Sequence, residues 1–219
     1  MHLPIPPGNP GPFVFSGIVE RACTVAAVRE SGAARRLVVD LAPLRSGADG
    51  GPAEPLVGLG ASVAVAGCCL TVAALEGDRA GFDVVAESLA RTTLGALAAG
   101  ARVNVERSLR FGDRVDGHLV SGHVETTGVV AALDERPGDT RLSVRCGADF
   151  ARLLLPKGSV AVDGVSLTLA ALGEDGFQVA LVPHTLQRTT LGELRAGGRV
   201  NLEPDLIGRW VLAAVERSR

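Results

Sequence analysis

The sequence predicts an all-β fold: two similar small barrels in tandem, followed by one C-terminal α-helix. Three observations support this fold class. A unit of roughly 100 residues, a common domain size, occurs twice. Within each unit, short Val-rich runs alternate as strands do. Only the last part of the 219-residue chain shows clear helical spacing.

The duplication is visible when the chain is aligned with itself. SVAVAGCCLTVAAL at 62–75 matches SVAVDGVSLTLAAL at 159–172 at 10 of 14 positions. LARTTLGALAAGARVNVE at 89–106 matches LQRTTLGELRAGGRVNLE at 186–203 at 13 of 18 positions. Two copies at an offset of 97 residues exclude a solenoid, which needs more and shorter repeats. We therefore expect a leader, two barrel domains and a helix, at 1–13, 14–110, 111–205 and 206–219.

The pattern of each unit predicts a series of strands. The first contains the runs SVAVAG, LTVAAL, FDVVA and RVNVE, separated by Gly, Asp and Asn. A closed barrel suits so small an all-β unit, because closure hides the strand edges and fills the interior with Val, Leu and Ala. The loop RSGADGGPAEP at 45–55 occurs only in the first unit.

The C-terminal segment LIGRWVLAAVER at 206–217 does not follow the strand pattern. Asp205 precedes it and is a suitable N-cap, while Leu206, Trp210, Ala213 and Ala214 recur at roughly helical spacing. A helix with one apolar stripe after two complete barrels serves either oligomer assembly or packing against its own barrel.

Composition excludes several classes of function. The net charge is -2 and the Arg residues are scattered, so no nucleic-acid surface is expected. No apolar run reaches 18 residues and the N-terminus lacks a signal-peptide pattern, so we expect no membrane span and a cytoplasmic location. The four Cys residues form no CxxC pair, which argues against a zinc site and for reduced thiols.

The motifs of the chain resemble those of the riboflavin synthase family, whose members consist of two lumazine-binding repeats. FSGIVE, GCCLTV, GHLVSGH, KGSVAVDGVSLT, PHTLQRTTLG and RVNLEPD carry the resemblance, which covers about 15–217. It implies that each half is a six-stranded Greek-key barrel and that C-terminal helices hold a homotrimer. It also implies that no metal or organic cofactor is used, and that the trimer can associate with lumazine synthase.

The activity implied by the resemblance is a dismutation. Two molecules of 6,7-dimethyl-8-ribityllumazine exchange a four-carbon unit and give riboflavin and a ribitylamino-pyrimidinedione. Two identical substrates suit two similar pockets, but donor and acceptor must differ at the reacting edge. Three differences make the halves unequal: Cys68-Cys69 against Val165-Ser166, Ile18 against His123, and Ser108 against Asp205.

The chemistry needs a base for the 7-methyl group of one lumazine and a nucleophile for C7 of the other. By resemblance, Ser166 adds to C7 or directs water to it, and Asp205 or His123 takes its proton. The plainer interpretations are a strand Ser bonded to backbone, a helix N-cap and a structural His. The remaining candidates are Cys69, otherwise a small buried hydrophobe, and Phe15 and Ser16, otherwise an exposed strand start.

Substrate contacts are predicted at matching positions of the two halves. Lys157 reaches a ribityl hydroxyl or ring carbonyl, or is a solvated side chain beside a turn. His118 is a site candidate, ranked behind His123. No position is expected to hold a metal. The predicted substrate-binding set is Ser62, Cys69, Thr71, Val85, Ala86, Glu87, Ser88, His118, Lys157, Ser159, Ser166, Thr168, Val182, Pro183, His184 and Thr185.

Three features depart from the family pattern. Ala66 replaces the usual Asn before GCCLT, which removes a polar contact from the first barrel. Ser16 replaces Thr and keeps the hydroxyl. Residues 1–13 precede Val14, where the family has Met. Because a GTG codon encodes Val and starts translation in GC-rich bacteria, we expect native translation to begin at Val14.

A rival function within the same family is a non-catalytic antenna that binds lumazine or flavin without turnover. His123, Lys157, Ser166 and Asp205 are all present, which favours the enzyme. Two ligands bound per chain fit the enzyme, and one fits the antenna.

Overall fold

The computed structural model describes residues 15–31, 34–46, 56–135 and 139–217. The predicted leader at 1–13 and the predicted start at Val14 lie outside these residues, as does most of the loop at 45–55. No helix in the described part of the chain is long and apolar enough to cross a membrane.

The first half is a closed antiparallel barrel. Around the ring the strand order is β1-β2-β5-β4-β3-β6, and β6 returns to pair with both β3 and β1. β3, β4 and β5 are joined by two hairpins and β6 returns to lie beside β3, which is a Greek key. Short helices link the strands, namely a 3-10 turn (Ala42–Ser46) after β2 and α1 (Ala86–Arg91) with a 3-10 turn (Thr93–Ala96) after β5. The strands are β1 (Arg21–Ser31), β2 (Ala34–Asp40), β3 (Ser62–Val65), β4 (Cys68–Glu76), β5 (Arg79–Val84) and β6 (Arg102–Arg107).

The second half repeats this barrel with the order β10-β11-β8-β7-β12-β9. Its helices are α2 (Ala148–Ala151), α3 (Pro183–Arg188) and a 3-10 turn (Thr190–Glu193). The predicted pair of six-stranded barrels is therefore confirmed. The strands are β7 (Thr126–Asp134), β8 (Thr140–Arg145), β9 (Ser159–Val162), β10 (Val165–Leu172), β11 (Gly176–Leu181) and β12 (Arg199–Pro204).

Each barrel interior holds the side chains that strand alternation predicts. The first residues of β4 and of β10 alternate between buried and more exposed positions. The inward side chains, such as Val63 and Phe82 in the first barrel, form one buried apolar cluster per barrel. Six strands enclose too little space for a ligand beside these side chains. Binding surfaces must therefore lie outside the barrels.

The two barrels meet through the turns of matching hairpins. Ala66-Gly67 joins β3 to β4 and Asp163-Gly164 joins β9 to β10, all four residues with positive φ, as in a type I′ turn. A Cβ added to Gly67 would lie 2.6 Å from the Gly164 nitrogen. The turns therefore pack backbone against backbone across the interface.

Two buried Asn residues connect the turns. The Asn104 amide donates to the Asp163 carbonyl at 2.9 Å, and the Asn201 amide donates to the Ala66 carbonyl at 2.8 Å. Each side-chain oxygen accepts a backbone N–H from the opposite barrel, at 2.8 Å in both cases. Because an unpaired amide would be costly here, these bonds fix how the barrels are placed against each other.

The predicted C-terminal helix is confirmed as α4 (Leu206–Arg217). Asp205 Oδ1 accepts the Ile207 N–H at 3.0 Å, which is the predicted N-cap hydrogen bond. Trp210 is 67% exposed, so the apolar side of the helix is not packed against its own barrel at this position.

Replacing Gly67 with Ala should destabilise the protein more than replacing Gly60 with Ala. Both residues have φ near +80°, but a Cβ at Gly60 would meet nothing within 4 Å. We expect Gly60→Ala to cost about 1–2 kcal/mol for the left-handed backbone. We expect Gly67→Ala to cost about 1–3 kcal/mol more, from overpacking against the second barrel. Urea unfolding measures both, and equal losses would show that the turn contact contributes nothing.

Candidate functional site on the outer faces of the barrels

The predicted pocket residues of the first barrel lie on its outer face. Ser62 pairs with Thr71 across β3 and β4, and Ala64 pairs with Cys69. Val63, between them in sequence, points into the core. Because side chains alternate along a strand, the two pairs share the face opposite to the core.

The second barrel repeats this face. Ser159 pairs with Thr168 across β9 and β10, and Ala161 pairs with Ser166. All four positions correspond to those of the first barrel. The Ser and Thr pair is therefore common to both faces, whereas Cys69 on one is replaced by Ser166 on the other.

Two segments cross between the barrels: the first crossing segment (15–18) and the second crossing segment (118–123). Phe15 and Val120 exchange both backbone hydrogen bonds, at 2.7 and 2.9 Å. Their side chains are buried with Ala64 and Ala161 in a cluster between the barrels, against partly buried Cys69. Phe15 has no exposed surface, so the alternative of an exposed strand start is wrong.

Ser166 lies against both crossing segments. Its N–H donates to the Gly17 carbonyl at 2.7 Å, and its Oγ is 2.6 Å from Nδ1 of His118. A Cβ on Gly17 would be 2.6 Å from the Ser166 Cβ, so only glycine lets the backbone pass here. The hydroxyl is thus bonded to a histidine and not to backbone.

The histidine that reaches Ser166 is His118, which the sequence ranked behind His123. His123 is exposed and follows Gly122, whose carbonyl accepts the Cys69 N–H at 2.9 Å. The structure therefore places His118 at the second-barrel site and His123 beside the first-barrel site. The proton partner predicted for Ser166 changes accordingly.

The surroundings of His118 favour the neutral imidazole. Its burial lowers the pKa of the imidazole, and the nearby Asp205 carboxylate opposes this with a smaller upward effect on the pKa. Its Nε2 is buried and has no hydrogen-bond partner among the described residues. A neutral imidazole with one nitrogen on a hydroxyl can take a proton and return it.

Cys69 occupies the position of Ser166 on the first barrel. Burial raises the pKa of its thiol; a hydrogen bond with Ser62 lowers that pKa, and the Glu203 carboxylate raises it further. The side chain is therefore a neutral thiol and a weaker nucleophile than a thiolate. All four cysteines are free thiols.

Known proteins share this duplicated arrangement. A sequence profile of the lumazine binding domain matches residues 16–108 and 121–205. The chain is 39% identical over 207 residues to the riboflavin synthase of Escherichia coli, covering 93% of this chain and 92% of that one. It is 40% identical over 202 residues to the riboflavin synthase of Mycobacterium bovis, covering 90% and 96%. The chain belongs to the riboflavin synthase family.

A solved structure agrees on the fold. LumP complexed with 6,7-dimethyl-8-(1'-D-ribityl) lumazine matches with a TM-score of 0.73 at 25% identity, covering 86% of this chain and 98% of that one. That protein binds the lumazine that the sequence motifs predict as the substrate of this family member.

Many of the remaining predicted contacts are exposed in the single chain. Ser62 is buried, and Ser88, Ser159 and Thr185 are half-buried. The exposed residues, which a substrate could reach, are Thr71, Val85, Ala86, Glu87, Lys157, Thr168, Val182, Pro183 and His184.

The predicted backbone contacts lie at the starts of α1 and α3. The carbonyls of Ser88 and Thr185 each accept a backbone and a hydroxyl hydrogen bond from the Thr four residues further along. The first N–H groups of a helix have no partner within it. Helix geometry therefore leaves N–H donors near Glu87 and His184 for a ligand, while these two carbonyls are occupied.

Sequence reasoning missed two buried carboxylates, Glu106 and Glu203, at the ends of β6 and β12. The signal was present, because RVNVE and RVNLE end in Glu in both copies and an acidic residue is rarely buried without partners. Among the residues that the structure describes, no cluster of His, Cys, Asp or Glu could hold a metal ion.

Asp205→Asn should move the acidic limb of the pH–rate profile to lower pH. Turnover that needs neutral His118 falls as the pH drops through its pKa. Removing the carboxylate charge that raises this pKa lets it fall further. Asn keeps the N-cap, so α4 stays in place.

The measurement is kcat/KM against pH, with an NMR titration of the His118 ring. Asp205→Glu retains the charge and serves as the control, whose limb should move less. An unmoved limb in Asp205→Asn would remove His118 as the titrating group.

Proposed function

We propose that this protein is a riboflavin synthase. It converts two molecules of 6,7-dimethyl-8-ribityllumazine into riboflavin and 5-amino-6-(D-ribitylamino)uracil by transfer of a four-carbon unit. One observation carries the proposal: two faces with the same Ser and Thr pairs differ at the central position, which is Cys69 on one and Ser166 on the other.

The common part of each face suits the common substrate. Ser62 with Thr71, and Ser159 with Thr168, present hydroxyls at equivalent places and can bond the same ring or ribityl groups. The central difference suits unequal roles, because one lumazine must lose four carbons and the other must gain them. The exchange is balanced between two identical molecules, so it needs no external oxidant or reductant.

In the proposed reaction, Ser166 and His118 activate the lumazine on the second barrel. Ser166 Oγ, or a water held by it, adds to C7, and His118 accepts the proton through Nδ1 at 2.6 Å. The imidazolium formed in this way then returns the proton when the adduct collapses. Cys69 contacts the second lumazine as a neutral thiol, with His123 close to the same face.

A homotrimer would complete the two sites. The faces are open in the single chain, with Thr71, Thr168 and Lys157 exposed, whereas the chemistry must exclude water. The helix α4 also exposes apolar side chains. We propose that α4 holds three chains together and that the first barrel of one chain faces the second barrel of its neighbour. The exposed apolar residues of α4 are Ile207, Trp210, Val211 and Val215.

We also propose that the trimer acts in the cytoplasm and can associate with lumazine synthase, as the family resemblance implies. Co-purification of the two proteins from cytoplasmic extract tests both points, and a lumazine synthase that elutes separately at all concentrations would contradict the association.

Incubation with 6,7-dimethyl-8-ribityllumazine alone tests the activity. We expect riboflavin to appear at half the molar amount of lumazine consumed, with two ligands bound per chain. Ser166→Ala should bind lumazine with similar affinity but lower kcat by about 100-fold or more, since it removes the group that carries the proton. Tight binding of one lumazine per chain without any riboflavin would support the antenna function instead.

Trp210→Glu should convert the trimer into monomers and abolish most turnover. A carboxylate placed in an apolar helix contact would be buried without a partner. Arg217→Glu, which puts the same charge on an exposed residue of the same helix, is the control and should leave the trimer intact. Sedimentation velocity reads the assembly state. A Trp210→Glu variant that remains trimeric would show that α4 is not the interface.

A further inference from the structure

Two buried carboxylates that the proposed reaction does not use make the same set of hydrogen bonds. Glu106 accepts from the Ser16 N–H and hydroxyl at 2.7 Å and from the Gly17 N–H at 3.0 Å. Glu203 accepts from the Ser121 N–H and hydroxyl at 2.7 Å and from the Gly122 N–H at 3.0 Å. Each carboxylate therefore holds a Ser-Gly pair at the same three points.

The residues held in this way contact the opposite barrel. The Gly17 carbonyl accepts the Ser166 N–H at 2.7 Å, and the Ser16 carbonyl accepts the His118 N–H at 3.0 Å. The Gly122 carbonyl accepts the Cys69 N–H at 2.9 Å. In each pair the glycine N–H donates a hydrogen bond to the carboxylate, and the carbonyl of the same glycine accepts one from Ser166 or Cys69. A shift of the carboxylate is therefore passed to Ser166 or Cys69 through a single residue.

Strand pairing explains why the connection crosses between barrels. On the first barrel, Ala64 lies between Glu106 and Cys69 in register. On the second barrel, Ala161 lies between Glu203 and Ser166. The two Ala residues meet in the cluster between the barrels, so the two rows face each other. One glycine separates each Glu from the reactive residue of the other barrel, because Gly17 contacts both Glu106 and Ser166 and Gly122 contacts both Glu203 and Cys69.

We infer that Glu106 and Glu203 are positioning residues that connect the two sites crosswise. Glu106 of the first barrel sets the Ser166–His118 pair of the second, and Glu203 of the second barrel sets Cys69 of the first. Neither carboxylate acts on substrate directly. Each acts through the Ser-Gly pair that it holds.

The electrostatics agree with the geometry. Burial raises the pKa of Glu106 to about 7 and raises that of Glu203, while the hydrogen bonds from Ser16 and Gly17, or from Ser121 and Gly122, lower them. These donors thus favour the ionised form of each buried carboxylate, and at Glu203 the nearby His123 adds a smaller effect in the same direction. Glu203 also raises the pKa of the Cys69 thiol, as expected of a carboxylate near the opposite site.

Two variants and two reporters test the crossed connection in the full-length protein. Gln in place of Glu keeps the shape but turns one acceptor into a donor, which opposes the glycine N–H. The second-barrel reporter is the ¹⁵N NMR signal of the His118 ring. The first-barrel reporter is the rate of Cys69 alkylation by N-ethylmaleimide, read by peptide mass spectrometry.

Glu106→Gln should shift the His118 signal and its titration but leave Cys69 alkylation unchanged. Glu203→Gln should leave His118 unchanged and speed Cys69 alkylation several-fold, since the carboxylate that raises the thiol pKa is lost and the Gly122 carbonyl that holds the Cys69 N–H is displaced. Ser16→Ala and Ser121→Ala, which remove one donor from each carboxylate, should reproduce the pattern more weakly and cover the case in which a Gln variant does not fold. Both reporters moving in every variant, or each moving with the carboxylate of its own barrel, would overturn the inference.

The inference rests on the proposed function only for its effect on turnover. If Ser166 and Cys69 act on the two lumazines, each Gln variant should lower kcat by about 10- to 100-fold through misplacement of its opposite site. The His118 and Cys69 reporters need no substrate. A protein that lacks riboflavin synthase activity but shows the crossed pattern would refute the function and leave the connection standing.

Discussion

The arrangement of the molecule depends on one contact, where the hairpin turns Ala66-Gly67 and Asp163-Gly164 meet without intervening side chains. Backbone can approach backbone this closely only where Cβ atoms are absent. Asn104 and Asn201 then bond each turn to the opposite barrel, so rotation or sliding of one barrel would leave buried amides unpaired. A fixed placement of the barrels is what allows the crossing segments to reach from one to the other.

The same contact shows where the two halves have diverged. Asp163 Oδ1 accepts the Asn201 N–H at 2.7 Å, and burial raises the pKa of this carboxyl to about 7. Ala66, at the matching position, has no side-chain oxygen to offer Asn104 and holds φ at +47°, where Asn, Asp and Gly are favoured. The sequence predicted that Ala66 removes a polar contact from the first barrel. By comparison with Asp163, the missing contact is a hydrogen bond from the Asn104 N–H on β6.

Sequence alone predicted the barrels, because strand alternation is a local signal and the repeat supplied it twice. It could also place Ser166 and Cys69 at equivalent positions, since alignment of the halves needs no structure. It could not rank His118 above His123. Which histidine reaches Ser166 depends on the path of the crossing segments, and that path is set by contacts between residues about 50 to 90 positions apart. Such contacts leave no periodic pattern in the chain.

The small size of the barrels links assembly to catalysis. A six-stranded barrel filled by Val, Leu and Phe cannot take a flat heteroaromatic ligand inside, so the proposed reaction requires both lumazines to bind on the outer faces. An outer face is exposed to water on one side, whereas removal of a proton from the 7-methyl group and addition at C7 need an enclosure that excludes water. In the proposed assembly the missing wall comes from another chain, since the contact between the two barrels of one chain is already filled by Phe15, Val120 and the paired Ala residues. Duplication therefore supplied two faces but not their closure, which the proposed trimer assigns to a further chain brought in by the exposed apolar side of α4.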